Sequence, residues 1–546
     1  MGEAVQSVKE GTTNGAALDY EAVVVGAGIA GLHEVYKLRE MGVSVIGFEA
    51  GTDVGGTWYW NRYPGARVDS QSHIYQYWFS QELLDEWDWS ERFPAQPETE
   101  RYLNYVAEKF DLRKEFRFRT RVESATYDEE NQLWTVTTDK GDKLTTRFFI
   151  SCTGMLSAPQ IPFPGHEKFR GQICHTARWP HEKVEMAGKR VGVVGTGATG
   201  IQVIQTIAPE VGEMFVFQRT PNYTIPMRNP QYDDADRDAL REEYPEIEKT
   251  VFNTFAGFDY DLSETPFTEM SAEEREQRLW DLWNDGSLHF WLGFAEVFFD
   301  EEVNNYISEF VRNRIRERVK DPETAEKLVP TCHGFGTRRV PLETKYYEAY
   351  NQDNVHLVDV KQDAIAEITE TGVRLESGAE YELDILVMAT GFDAGTGALT
   401  RIDIRGRGNQ SLKEKWDKDI RSTLGLQVHG FPNLFTVAGP LAPSTAFCNM
   451  ATCLIQQGGW VADTIGYLRE QGQHAIEPTE EKEAEWVDHH DEVANQTLVV
   501  KTDSWYMGAN IDGKPRRLLS YIGGANAYHQ MCDELKEKGY PGFAIS

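Results

Sequence analysis

Cysteine is scarce in this chain: Cys152, Cys174, Cys332, Cys448, Cys453 and Cys532 are spread over 546 residues, with no C-x-x-C pair and no histidine-rich neighbourhood of zinc spacing. A thiolate metal centre and the dithiol relay of a disulfide reductase are therefore excluded, and six reduced, mostly buried thiols are expected. Positive charge is also short, because 55 Lys and Arg face 87 Asp and Glu, for a net charge of -32. Nucleic acid and anionic membrane faces draw their affinity from lysine and arginine, so neither is an expected partner. No run of about 18 apolar residues occurs, and residues 1–20 lack the apolar core of an export signal. A cytoplasmic protein without a membrane span is expected. Low complexity is absent apart from a polar N-terminal tail.

What the chain does have is length and flat apolar surface. Its 546 residues exceed what one core can organise, and 14 Trp, 23 Tyr and 27 Phe suit the binding of aromatic groups. A β-branched run from Glu21 leads into G-x-G-x-x-G at Gly26, Gly28 and Gly31, followed by a helical pattern. Only glycine lets a backbone turn this tightly against a pyrophosphate, which the helix N-terminus then attracts. A second strand, 44–48, ends at Glu49, where an acid accepts hydrogen bonds from a ribose diol.

The same unit returns at Gly195, Gly197 and Gly200, but its second strand ends in Gln218, Arg219 and Thr220. A cation in place of the acid suits a 2'-phosphate and selects NADPH over NADH. Two such units imply two nucleotides used together, FAD in the first and a nicotinamide in the second. Residues 133–138 and 143–150 read as a hairpin turning at Lys140-Gly141. The stretch from about Pro226 to Pro330 is rich in helix formers. Ser271 with Glu274 fits a capping box, and Val303, Ile307, Phe310, Val311, Ile315 and Val319 recur at helical spacing before Asp321-Pro322. Trp280, Trp283 and Trp291 in this insertion are read as core. The expected fold is α/β: two doubly wound, Rossmann-like dinucleotide-binding domains with a helical insertion. The expected FAD domain combines 1–150 and 391–546, the NADP domain combines 151–225 and 333–390, and the insertion covers 226–332.

Three further motifs carry a family resemblance. Phe169 to Pro180 fits F-x-G-x-x-x-H-x-x-x-W-P, Gly55 to Asp69 fits G-G-x-W-x-x-x-x-Y-P-G-x-x-x-D, and Ala389-Thr-Gly391 lies within 384–393. From Tyr20 onward the chain resembles type I Baeyer-Villiger monooxygenases, nearest the phenylacetone and steroid group and further from cyclohexanone monooxygenase. The related N- and S-oxygenating flavin monooxygenases usually lack the ending seen here as Trp179-Pro180, and remain the alternative. A flavin-binding redox sensor without turnover is the rival of another class. The resemblance implies FAD and NADPH as cofactors and O2 and a small-molecule ketone as reactants. The implied product is an ester or lactone made through a C4a-peroxyflavin, with sulfoxidation as a side activity, and a monomer or weak homo-oligomer is expected.

The resemblance also implies residue roles. Gly334 to Val340 aligns with the catalytic segment and places the essential arginine at Arg339, which cannot shed its charge and so can steady an oxygen anion. Asp69 corresponds to its carboxylate partner. Contacts to FAD carry over to Glu49, Gly56, Thr57, Trp58 and Asp69, and further along to Tyr75, Val122 and Met450. Contacts to NADP carry over to Arg67, Thr196, Thr199, Arg219, Thr220, Arg338 and Arg339, with Arg338 standing where relatives commonly have lysine. Residues 504–515 resemble a mobile loop, spanning about 495–515, that folds over NADP with Trp505 at the nicotinamide ribose and Gly508 and Gly513 as pivots. His175 is read as a hydrogen-bonded hinge rather than an acid or base. Residues 440–447 align with a pocket-lining loop carrying one extra residue.

Overall fold

The computed structural model describes residues 12–13 and 16–546. Most of the polar N-terminal tail lies outside the described residues. Tyr20–Val25 (β1) feeds Ile29–Glu40 (α1), and Val45–Phe48 (β2) returns parallel to β1 with Val25 opposite Phe48. Both strands are buried along almost their whole length, as β-branched runs covered on two faces should be. Val122–Asp128 (β3), Leu133–Thr138 (β4) and Lys143–Ser151 (β5) form an antiparallel meander, and β5 then pairs parallel with β1. Gly141 makes the β4–β5 turn at φ +82°, a left-handed conformation that favours glycine. Two strands from far along the chain join this sheet: 403–405 lies parallel to β3 and 434–436 parallel to β5.

The second sheet is all parallel. Gln172–His175 (β6) forms one edge, Arg190–Val194 (β7) is central and leads into Ala198–Ile207 (α2), and Glu213–Gln218 (β8) follows. The chain then leaves the sheet for the helical stretch, where Asp234–Asn253 (α3), Ala272–Asp285 (α4) and Glu301–Arg318 (α5) dominate. Ser271 and Glu274 close a reciprocal capping box on α4, and Asp300 caps α5. One face of α5 buries Val303, Ile307, Val311 and Ile315, and Trp283 and Trp291 lie in the same apolar core. Val355–Asp359 (β9) and Ile385–Met388 (β10) then complete the sheet in the order β9-β8-β7-β10-β6. Met450–Gln471 (α6) packs against α1.

The expectation of six reduced thiols does not hold. Cys448 and Cys453 are joined as a disulfide, with their Cα atoms 6.6 Å apart, whereas Cys152, Cys174, Cys332 and Cys532 are free. Residues five apart on a helix point about 140° away from each other, so the spacing concealed the pair. The pairing works because Cys448 precedes α6 and Asn449, at φ -62° and ψ 116°, bends it back over the helix. Among the described residues no helix is long and apolar enough to cross a membrane, and no cluster of residues could hold a metal ion.

Candidate active site

The first glycine turn is held by close backbone contact. Gly26 sits at φ +108°, and a Cβ on Gly31 would fall 1.8 Å from the Gly26 carbonyl oxygen. A Cβ on Gly56 would come within 2.7 Å of the Gly28 Cα. Only hydrogen fits at these positions, so α1 can begin against β1 with its N-terminus uncapped by any side chain. The unsatisfied N–H groups open on a cavity of about 670 Å³. Glu49, at the end of β2, lines the same cavity. Its carboxylate accepts hydrogen bonds from the Ala27 N–H at 2.9 Å and the Gly51 N–H at 2.6 Å, which fix its orientation. Gly26, Gly28, Gly56, Thr57, Trp58, Asp69, Tyr75, Val122 and Met450 line it too, while Gly31 stands behind the turn. Trp58 donates its indole N–H to the Tyr75 hydroxyl at 3.2 Å, and burial raises the Tyr75 pKa, so the phenol stays neutral. An uncapped helix end beside a carboxylate in a groove of this size fits the pyrophosphate and ribose of FAD.

The second turn repeats the geometry. Gly195 lies at φ +106°, a Cβ on Gly200 would meet the Gly195 oxygen at 2.1 Å, and Gly197 leaves the start of α2 uncapped. Thr196 donates its hydroxyl hydrogen to the Thr220 carbonyl at 2.9 Å, fastening the turn to the end of β8. Arg219 is exposed nearby. Arg338 hydrogen-bonds the Asp503 carbonyl, but its Nε has no partner. Burial depresses the Arg338 pKa and the Arg219 charge adds to that, against the pull of Cys332 and Asp503. Two neighbouring arginines without an ion-pair partner among the described residues fit a dianionic phosphate.

The two units meet at Arg339. Its Nη2 donates to Asp69 Oδ2 at 2.5 Å and its Nη1 to the Thr445 carbonyl at 3.2 Å, and Arg339, Asp69 and Thr445 all line the main cavity. Burial works against the charge of Arg339, yet Asp69, helped by Tyr506 and Tyr260, outweighs it and raises the pKa. The result is a permanent cation held at the cavity wall. Thr199 and Arg67 reach the same cavity, and Gln202, one turn on from Thr199 in α2, fastens that helix to residues 63–67. Its amide donates to the Arg67 carbonyl at 3.2 Å and its oxygen accepts from the Tyr63 hydroxyl at 2.9 Å. The Arg67 guanidinium itself is paired with Glu91 at 2.6 Å.

Gly195, Thr196, Gly197, Gly200, Arg219, Thr220, Arg338 and Trp505 do not line this cavity; they lie along the second turn and in the loop after residue 495. That loop is docked through Lys514 on Asp393 at 2.6 Å and the Asn510 amide on the Phe392 carbonyl at 2.7 Å. Trp505 sits edge-on to Tyr506, with ring centres 4.5 Å apart. His175 Nδ1 accepts from the Ala177 N–H at 3.1 Å, so Nε2 carries the proton and faces the Gln160 carbonyl at 3.2 Å. Burial lowers its pKa and keeps it neutral, a bracing role. Residues 440–447 were expected to line the pocket, but nothing in the sequence singled out Thr445, whose contribution is a backbone carbonyl. Gln202 was detectable only as a polar residue on the inner face of the second glycine helix.

The flavin-binding monooxygenase-like family model matches residues 20–229. Acetone monooxygenase (methyl acetate-forming) of Gordonia sp. (strain TY-5) is 52% identical over 528 residues, covering 96% of this chain and 99% of that one. The chain belongs to the Baeyer-Villiger monooxygenases. This monooxygenase shares its fold with OTEMO complexed with FAD and NADP, at a TM-score of 0.94 and 42% identity over 97% of this chain and all of that one. Oxidised steroid monooxygenase bound to NADP gives a TM-score of 0.91 and 44% identity over 96% and 99%. Two Rossmann-like units, FAD and NADPH as cofactors, and conversion of ketones to esters or lactones follow for the enzyme.

Proposed function

We propose that this Baeyer-Villiger monooxygenase acts on small ketones, with Arg339 and Asp69 as its catalytic pair. The observation that carries the assignment is the ion pair itself, which lines the same cavity as the first glycine turn and Glu49. FAD, when bound, supplies two-electron chemistry between NADPH and O2. Glu49 and the α1 N-terminus hold the dinucleotide, and Thr57, Trp58, Tyr75, Val122 and Met450 wall its ring in. Arg219, Thr220 and Arg338 take the 2'-phosphate of NADPH, the second glycine turn takes its pyrophosphate, and Arg67, Thr199 and Trp505 orient the rest. Arg339 lowers the energy of negative charge on the oxygen that attacks the ketone and on the ketone oxygen that receives it. Asp69 keeps the guanidinium pointed there. The loop at 495–515 opens for NADPH and closes to exclude water.

The acetone-oxidising relative suggests the substrate size. Phe447, two residues beyond Thr445, does not line the main cavity but packs parallel to Trp291 at 6.0 Å and against Tyr506 at 5.1 Å, which steadies the loop that carries the Arg339 partner. The FAD domain then comprises 1–150 and 391–546, the NADP domain 151–225 and 333–390, and the insertion 226–332. We place the protein in the cytoplasm as a monomer or weak homo-oligomer. Purified enzyme should consume NADPH with acetone and cyclohexanone, yielding methyl acetate and caprolactone. Arg339→Ala should still reduce FAD but form no ester. Sulfoxide from a thioether with no ester from any ketone would overturn the reaction, and normal ester formation by the variant would remove Arg339 from it.

A further inference from the structure

We propose that Cys448 and Cys453 form a peroxide-oxidised dithiol site whose closure fixes the loop carrying the Thr445 partner of Arg339. Cys448 lines the main cavity, so a molecule as small as hydrogen peroxide reaches its sulfur from the reaction chamber. Cys453 lies beneath it, fully buried in the first turns of α6, and the two sulfurs are already joined. The bond sits where three parts of the chain meet. Asn449 between the cysteines donates its backbone N–H to the Ala256 carbonyl at 2.8 Å and its amide to the Ile74 carbonyl at 2.8 Å. Thr452 donates to the Gly257 carbonyl at 3.1 Å. A Cβ on Gly257 would lie 3.4 Å from the Cys448 sulfur, so the helical insertion leaves that sulfur little room to move outward.

Of the other four cysteines, Cys152 also lines the cavity but has no second cysteine bonded to it, and burial pushes its thiol well up. Burial pushes the Cys174 thiol to about 11 and the Cys532 thiol to about 12, and Cys332 is exposed. Cys448, by contrast, lines the cavity, stands just outside the N-terminus of a 22-residue helix that no side chain caps, and has a second cysteine sulfur bonded to it.

Hydrogen peroxide arises when O2 takes two electrons from NADPH without a ketone to receive oxygen. The Cys448 thiolate attacks one peroxide oxygen, the O–O bond breaks, and hydroxide leaves and takes up a proton as water. The Cys453 sulfur then attacks the resulting sulfenic acid, the S–O bond breaks, and a second water departs with the Cys453 proton. Two thiols and one peroxide become one disulfide and two waters. Two thiol sulfurs cannot stay at bonding distance, and because Gly257 blocks the outward path of the Cys448 sulfur, their separation on reduction is taken up by the backbone before Cys448 and shifts the Thr445 carbonyl relative to Arg339. Leaked peroxide thus restores the geometry that limits leakage.

The test is differential thiol alkylation with peptide mass mapping on FAD-loaded full-length enzyme. After dithiothreitol treatment and removal, the peptide holding both cysteines should carry two alkyl groups. After addition of hydrogen peroxide alone, or turnover with NADPH and no ketone, it should carry none and weigh two hydrogens less. The ester formed per NADPH consumed should rise several-fold on oxidation in the wild type and not respond in Cys453→Ala. Cys453→Ser, with FAD content checked by absorbance, replaces that variant if it does not fold. Persistent alkylation of both cysteines after peroxide treatment overturns the site. A disulfide that forms without changing the ester-to-NADPH ratio overturns its effect on the loop.

Discussion

The two glycine turns are near copies in backbone and opposites in charge. Gly26 and Gly195 share a φ near +107°, at +108° and +106°, and each turn forbids a Cβ on its third glycine through the carbonyl of its first. After that the units diverge. The first ends its second strand in Glu49, whose carboxylate is fixed by two backbone N–H groups, and the second in Arg219, with Arg338 beside it. Steric closeness gives either turn the shape that suits a pyrophosphate, whereas the charge at the end of the second strand suits a free ribose in one unit and a phosphorylated one in the other. The comparison also separates binding from the proposed chemistry, because Arg339 belongs to neither turn and lies paired with Asp69 where the two units meet.

The largest expected effect falls on that meeting point. Loss of the Arg339 guanidinium should lower ester formation by at least about a hundred- to a thousand-fold, the scale of removing one preorganised stabiliser of a developing oxyanion. Stopped-flow flavin reduction by NADPH should remain measurable, which separates the two functions. The turns themselves can be broken symmetrically: Gly31→Val should yield colourless protein without FAD, while Gly200→Val should stay yellow but fail to be reduced by NADPH. Yellow Gly31→Val protein with a normal flavin spectrum would show that the steric argument does not transfer between the units.

Smaller effects test charge alone. Arg219→Ala should raise the KM for NADPH by about ten- to a hundred-fold, as expected for losing a charge-assisted contact of about 1.5–3 kcal/mol, and leave the KM for NADH nearly unchanged. Equal losses for both cofactors would mean that Arg219 does not meet the 2'-phosphate. The mildest test uses the helices. Two residues past its third glycine, α1 carries His33, whose pKa is lowered from 6.5 to about 3 by burial and, secondarily, by Lys37. The same position on α2 is Gln202, which does not titrate. A folded histidine with a depressed pKa binds its proton less readily than the unfolded chain does. Its contribution to stability is therefore intact above pH 6.5 and is lost as pH falls toward about 3. Thermal melts from pH 7 to 5 should show a smaller decline for His33→Leu than for wild type, and parallel curves would exclude His33 as a source of acid sensitivity.

Both glycine turns, the contrast between Glu49 and Arg219, the β4–β5 hairpin and the α4 capping box were legible in the sequence because each depends on residues within about two dozen positions of one another, at a spacing the βαβ unit sets. Glycine sterics, a left-handed turn and a reciprocal cap are local consequences of which side chains are present. The pairing of Asp69 with Arg339 was anticipated from resemblance alone, since no local rule connects residues 270 positions apart.

Other features were set by the packing of distant segments. The Thr445 carbonyl became a partner of Arg339 only when the 440–449 loop settled against the second unit, and a backbone oxygen leaves no mark in a sequence. Gln202 bridges the units because α2 happens to face residues 63–67. The Cys448–Cys453 bond was hidden for a geometric reason: five residues along a straight helix would set those sulfurs apart, and a single extended residue at Asn449 folds one back onto the other. The amino-acid order by itself determined that this chain has two dinucleotide units of opposite charge, through contacts within about two dozen residues; only tertiary packing decided where the Arg339 cation stands, because that position is the sum of forces from segments hundreds of residues apart.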